Sequence, residues 1–150
     1  MAAIFFMTTG SIKPIVLESG QTVNTNWYVN HHLPEIFKAV SERRPKIGVR
    51  SLILHDDNTR PHRAWITNEF LFENHANSYP KPPNSPDLSP CDFFLFPKLR
   101  TQLRGVQFHD DNEMLAALDQ AVGSLTRNDF QDCFADWLDQ MKKCIDAQGQ

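Results

Sequence analysis

Three cysteines, Cys91, Cys133 and Cys144, occur in 150 residues, and no two of them form a C-x-x-C pair. So sparse and odd a count argues against a disulfide or zinc framework and for a reducing compartment. Long apolar runs are absent. Ile4–Met7 is among the longest, far short of a bilayer span. The N-terminus, Met-Ala-Ala-Ile-Phe-Phe-Met, has no basic segment of the kind that opens a signal peptide. Neither sign of charge dominates: 15 Lys+Arg stand against 18 Asp+Glu, a formal net charge of −3. That excludes a strongly basic nucleic-acid module and leaves DNA contact to local patches. Glycine-rich phosphate loops, G-x-S-x-G and H-E-x-x-H are all missing, which removes the motif grounds for a nucleotide-binding site, a serine hydrolase or a zinc protease. What remains is an ordinary globular composition, 41% hydrophobic and 22% charged. One domain is the default at this length, burying roughly 68–70% of its unfolded surface.

Along the chain, Ile4–Thr9 and Ile12–Leu17 are β-prone runs around Gly10-Ser11 and predict a hairpin. Pro14 assigns the second run to a sheet edge. Asn24 predicts a helix cap. Trp27, Val29, Leu33, Ile36, Phe37 and Val40 then recur at helical spacing, with Pro34 as an internal kink. Ser51–His55 reads as a short buried strand, a helix follows from about Pro61 to Glu73 with Trp65, Ile66, Phe70 and Leu71 as its stripe, and Asn77–Tyr79 is a possible strand. Residues 80–97 hold six of the ten prolines and read as a rigid loop inside one domain, because they end in Phe93-Phe94-Leu95-Phe96, which needs a core. Two amphipathic patterns close the chain, Leu115–Leu125 and Phe130–Ile145. This order predicts a mixed sheet flanked by helices, an α/β fold.

Two segments carry candidate chemistry. Asp56-Asp57-Asn58 follows the third strand, where ligands of α/β sheets gather and where an oxygen-rich pair suits Mg²⁺. The same tripeptide is also a common turn former, since Asp and Asn bond their own backbone. Ser85-Pro86-Asp87-Leu88-Ser89-Pro90-Cys91-Asp92 offers a second carboxylate at a helix start, with N-capping as the competing role of Asp92. A strand-end and a helix-start carboxylate are the parts from which two-metal phosphoryl-transfer sites are built. His31-His32 with Glu35 lacks zinc-protease spacing and reads as the solvated side of a helix. His55 and His62 have no third ligand at a finger-like spacing. Cys91 reads as a small semi-buried side chain. Arg43, Arg44, Lys46 and Arg50 form a basic cluster suited either to phosphate or to solvent.

His55-Asp56-Asp57-Asn58-Thr59-Arg60-Pro61-His62 resembles the HDNARPH block of mariner-type transposases, and Pro82–Phe96 resembles their PPYSPDLAPCDFFLF block. Thirty-four residues lie between Asp57 and Asp92, the separation that family keeps between its second and third catalytic aspartates. Gly20–Asn24, Arg43-Arg44-Pro45, Leu103-Arg104-Gly105 and Trp137 with Lys143-Cys144-Ile145 continue the likeness along almost the whole chain. The chain is similar also to the transposase part of SET-domain–mariner fusion proteins, although nothing in it resembles SET. The resemblance implies a ribonuclease-H-like fold and metal-dependent cleavage of DNA at transposon ends, followed by strand transfer, which is DNA integration by recombination. It assigns Asp57 and Asp92 as catalytic, metal-holding residues, with Mg²⁺ or Mn²⁺ as cofactor. It makes Arg60 and His62 phosphate contacts, transposon inverted-repeat DNA the partner, a homodimer the working form and the nucleus the location.

The departures are as specific. The family's first catalytic aspartate lies on a strand preceding the one that Ile4–Thr9 matches, and residues 1–3 offer no counterpart. The family's helix-turn-helix domains have no counterpart either. Asn84 stands where the family has Tyr, and Asp56 where it has a non-acidic residue. The expectation is therefore a partial catalytic domain over residues 1–150, lacking the first, central strand and inactive in DNA cleavage. The alternative is a transposon-derived protein that binds nucleic acid without catalysis.

Overall fold

A computed structural model describes residues 2–18, 20–57 and 59–148, except for the side chain of Lys13. Ser19 and Asn58, the latter in the predicted turn after the third strand, lie outside the described residues. The chain divides into two compact units, Met1–Ala3 with Ile15–Pro83 and Ile4–Pro14 with Asn84–Gln150.

The predicted hairpin forms, but its turn is at Thr8-Thr9 rather than Gly10-Ser11, which belong to the second strand: β1 (Ala2–Met7) pairs with β2 (Gly10–Val16). Gly10 has φ of 133°, a conformation that a residue with a Cβ rarely adopts.

In the first unit, the Asn24 side chain accepts from the Trp27 N–H at 2.8 Å and opens α1 (Thr25–Trp27). A wide π turn over Tyr28–His32 leads into α2 (Leu33–Arg43), with Leu33 N–H bonding Tyr28 O. Pro34 explains the widening, because it has no N–H and its ring would strike the carbonyl four residues back. α2 buries Leu33, Ile36, Phe37 and Val40. A parallel pair follows, β3 (Ile53–Asp56) on β4 (Asn77–Pro80), with Ile53 opposite Asn77 and Asp56 opposite Pro80. The crossover is two helices, α3 (Arg60–Arg63) and α4 (Trp65–Glu73), broken where Ala64 turns extended. The predicted stripe is corrected here. α4 buries Thr67 and Leu71, while Trp65 and Ile66 are 73% and 40% exposed. The break at Ala64 resets the helical phase.

In the second unit, a 3₁₀ turn (Pro86–Leu88) and a π turn (Cys91–Leu95) precede α5 (Phe96–Leu103), α6 (Asp111–Gly123) and α7 (Arg127–Asp146). This π turn again ends two residues before a proline, Pro97. The predicted need of Phe93–Phe96 for a core is met by Phe94 and Leu95, packed with Leu99, Val122, Phe130 and Cys133. Phe96 is 43% exposed. Phe6 of the hairpin joins this aromatic cluster, its ring 5.6 Å from Phe130. The fold is mixed α/β as predicted, but among the described residues the strands form two two-stranded sheets rather than one.

Candidate functional site

Asp57 lies just past the end of β3, at the mouth of the parallel pair. Its Oδ1 accepts from the Thr59 N–H at 3.1 Å, so the turn-forming role of this residue is realised. The same oxygen lies 2.7 Å from His62 Nδ1. His62 is in reach because Pro61 starts α3 in its first turn and brings residue 62 back over the strand end. The turn thus fixes the carboxylate rather than competing with a site. Burial acts to raise the Asp57 carboxyl, but the Thr59 hydroxyl and N–H and the nearby His62 together hold it below the usual range.

Three further groups lie near His62 and Asp57. Tyr28 is 1% exposed and its ring centre lies 4.7 Å from that of His62, the two planes tilted by 51°. Its hydroxyl has no hydrogen-bond partner among the described residues. Burial, then Asp56, then Asp57 raise its pKa far above normal. His32 is 3% exposed, contrary to the predicted solvated face; the π turn rotates it inward while His31 stays out. Burial, with His62 nearby, pushes His32 down to about 4. Asp56 ends β3 with both carboxylate oxygens buried and without hydrogen-bond partners among the described residues. Burial pushes it up to about 6, opposed by His62 and Arg63 and reinforced by Asp57. No helical or strand periodicity signals this cluster, because a π turn, a strand end and a four-residue helix each supply one part.

The other predicted residues are placed as follows. Arg60 is exposed at the start of α3. His55 bonds Tyr79 O across the sheet at 2.8 Å through Nδ1. Arg44 ties its own loop, donating to Arg50 O at 3.2 Å, so one member of the basic cluster is structural. Asp92 belongs to the second unit and lies inside the first turn rather than capping it. Its N–H and that of Phe93 both bond Ser89 O, at 2.9 and 3.0 Å. The loop before it is tied to α7 by the Trp137 Nε1–H, which donates to Leu88 O at 3.0 Å. Cys91 is half-buried, as predicted, and the buried Cys133 thiol is pushed up to about 12 by burial and the nearby Cys91, which makes it unreactive. Among the described residues no group of three or more His, Cys, Asp or Glu is arranged to hold a metal ion. None of the described helices is long and apolar enough to cross a membrane.

No family model matches the chain. It is 29% identical to the human histone-lysine N-methyltransferase SETMAR over 99% of its length, and 25% identical to the Mariner Mos1 transposase of Drosophila mauritiana over 100%. The chain spans 22% and 44% of those proteins. Its fold superposes on the crystal structure of the catalytic domain of Mos1 mariner transposase with a TM-score of 0.88, at 22% identity, covering 99% of this chain and 74% of that one. On the Mos1 mariner paired end complex with Mn the TM-score is 0.86, at 23% identity, covering 98% of this chain and 43% of that one. The likeness to mariner transposases therefore runs from end to end, and the fold is that of their ribonuclease-H-like catalytic domain.

Proposed function

We propose that this relative of the mariner transposases is the metal-binding part of a catalytic domain that cleaves and joins DNA strands. The observation that carries this reading is the fixed carboxylate of Asp57, at a strand end and held low by Thr59 and His62, with 34 residues between it and Asp92 in the first turn of a helix. Oxygen donors fit Mg²⁺ or Mn²⁺, which accept one or two carboxylates and complete their shells with water and phosphate oxygens. The buried Asp56 oxygens, without hydrogen-bond partners among the described residues, add further oxygen atoms at this strand end. Bound there, such an ion supplies activation of water or a 3′-hydroxyl and stabilisation of the leaving oxygen.

Asp57 and Asp92 are the proposed metal-holding residues. His62 holds Asp57 in orientation through Nδ1. Its ring edge and the exposed Arg60 are proposed to contact a DNA phosphate. The reading extends to a nuclear location and to a homodimer working on transposon inverted repeats.

A second reading, DNA binding without cleavage, is favoured by the acidic count, because the resemblance assigns two carboxylates within these residues and not three. A labelled duplex carrying a mariner inverted repeat, incubated with the 150-residue polypeptide and Mn²⁺, decides between them. Binding without nicking supports the second reading. Nicking that disappears in Asp92→Ala supports the first. Absence of both binding and nicking refutes both.

A further inference from the structure

Two large aromatic side chains of α4 stand in solvent, Trp65 at 73% exposure and Phe72 at 82%. Tryptophan is highly buried on average, so an indole left this open calls for a reason. Its backbone is tied in place. The Ala64 carbonyl accepts from the Thr67 and Asn68 N–H groups, both at 3.1 Å. The Thr67 side chain is fully buried and its hydroxyl donates back to Pro61 O in α3. With Thr67 and Leu71 buried, the first residue of α4 is left to solvent. The break at Ala64 thus builds the exposure of Trp65 into the fold.

The two aromatics sit in opposite charge surroundings. Residues 58–68 contain Arg60, His62 and Arg63 and no acidic residue, whereas Glu69 and Glu73 flank Phe72. Arg60 and Arg63 are both exposed. A purely apolar partner gives no reason for cations around one aromatic and carboxylates around the other. A nucleic acid does, since it brings phosphates and flat ring faces together. Trp65 is also tethered close to the candidate site. It follows His62 by three residues, and His62 Nδ1 lies 2.7 Å from Asp57 Oδ1. Three residues of chain span at most about 11 Å, and successive nucleotides of one DNA strand rise about 3.4 Å each. The indole is therefore within about three nucleotides of a phosphate placed at Asp57. A base inside a duplex has both faces covered by its neighbours, so the base that an indole stacks on is an unpaired one.

We infer that Trp65 is a stacking platform for an unpaired nucleobase of the DNA strand bound at Asp57, with Arg60 and Arg63 beside the flanking phosphates. The inference deepens the proposed function and rests on DNA as its substrate. Every base has a π face, so stacking is tolerant of base identity. Trp65 accordingly adds affinity and holds the strand in position without selecting a sequence, and it takes no part in bond breaking.

The test is equilibrium binding of the whole 150-residue chain to two labelled strands in Mg²⁺ buffer, read by fluorescence anisotropy. One strand is an oligothymidylate of about twelve nucleotides, within the usual site size for single strands. The other has the same length and phosphates but abasic sugars. The proteins are the native chain, Trp65→Ala, Trp65→Phe and Phe72→Ala. All three substitutions are at solvent-exposed side chains, and circular dichroism checks their folds. The native chain should bind the base-bearing strand more tightly than the abasic one. Trp65→Ala should weaken binding of the base-bearing strand by about tenfold and leave the abasic strand unchanged. Trp65→Phe should recover most of the loss, and Phe72→Ala should behave as the native chain does. The slope of log affinity against log salt should be the same in Trp65→Ala as in the native chain, because no phosphate contact is lost. Unchanged binding in Trp65→Ala, an equal loss on both strands, or an equal loss in Phe72→Ala overturns the inference and leaves the proposed function standing. Failure of the native chain to bind either strand overturns the inference together with the DNA reading on which it rests.

Discussion

At the scale of single residues, the strand end holds charge at a cost to stability. Asp56 is buried beside Asp57 with no hydrogen bond to its carboxylate among the described residues. An unpaired buried carboxylate is destabilising, so Asp56→Asn in metal-free buffer at neutral pH should raise stability by about 1–3 kcal/mol. Urea unfolding of the two proteins checks this, and a less stable variant would show that Asp56 has compensation after all. His32 makes a pH-dependent contribution. Burial holds it at about 4, below its ordinary 6.5, so the folded state keeps it neutral while the unfolded chain takes up a proton. Stability from this group is complete above about 6.5, is lost as pH falls toward about 4, and amounts to at most roughly 3 kcal/mol. Asp56, raised to about 6, acts in the opposite sense over the lower part of that window. The measurement is therefore the difference between native and His32→Asn in urea unfolding across this range. The native protein should lose more stability on acidification, and parallel curves would contradict the assignment.

At the scale of elements, the sequence is most readable where one periodicity governs. The hairpin, the Asn24 cap, α2, α6 and α7 all follow from alternation, helical spacing or a capping residue. α7 even carries a reciprocal cap in which the Thr126 hydroxyl accepts from the Asp129 N–H at 3.2 Å and the Asp129 carboxylate from the Thr126 N–H at 2.7 Å. Reading fails where two geometries meet. Pro34 announces a disturbance, but not that it takes the form of a π turn burying His32. The Ala64 break hides that Trp65 faces solvent. Motif and spacing single out Asp57 and Asp92 as candidates and Asp56 as half of an acidic pair, whereas Tyr28 becomes visible only once short elements come together. The second unit has its own tie between elements. The Trp137 indole N–H holds Leu88 O, four residues before Asp92. Trp137→Phe keeps an aromatic ring but removes the N–H and part of the indole surface, and it should cost about 1 kcal/mol or more in urea unfolding. An unchanged midpoint would mean that ring packing alone fixes the loop.

At the scale of the whole molecule, the described strands make two separate two-stranded sheets. The β3–β4 pair is parallel, a type normally covered on both faces. Here Leu54 is buried at 7% exposure, while Ile53 and Tyr79 on the other face are 65% and 51% exposed. Phe72 on α4 is 82% exposed as well. Single exposed apolar side chains are common, but an open parallel sheet combines apolar surface with unpaired strand edges, which template pairing with another chain. A net charge of −3 over 150 residues provides little repulsion against that contact. The polypeptide should therefore self-associate as its concentration rises, and more strongly in sulfate, which strengthens apolar burial. Sedimentation velocity on the native chain and on the double variant Ile53→Lys, Tyr79→Lys is the test. Lysines on an exposed sheet face should be tolerated in the fold and should oppose pairing. The native sedimentation coefficient should rise with concentration, while that of the variant stays constant. Equal association by both proteins would move its origin away from this sheet.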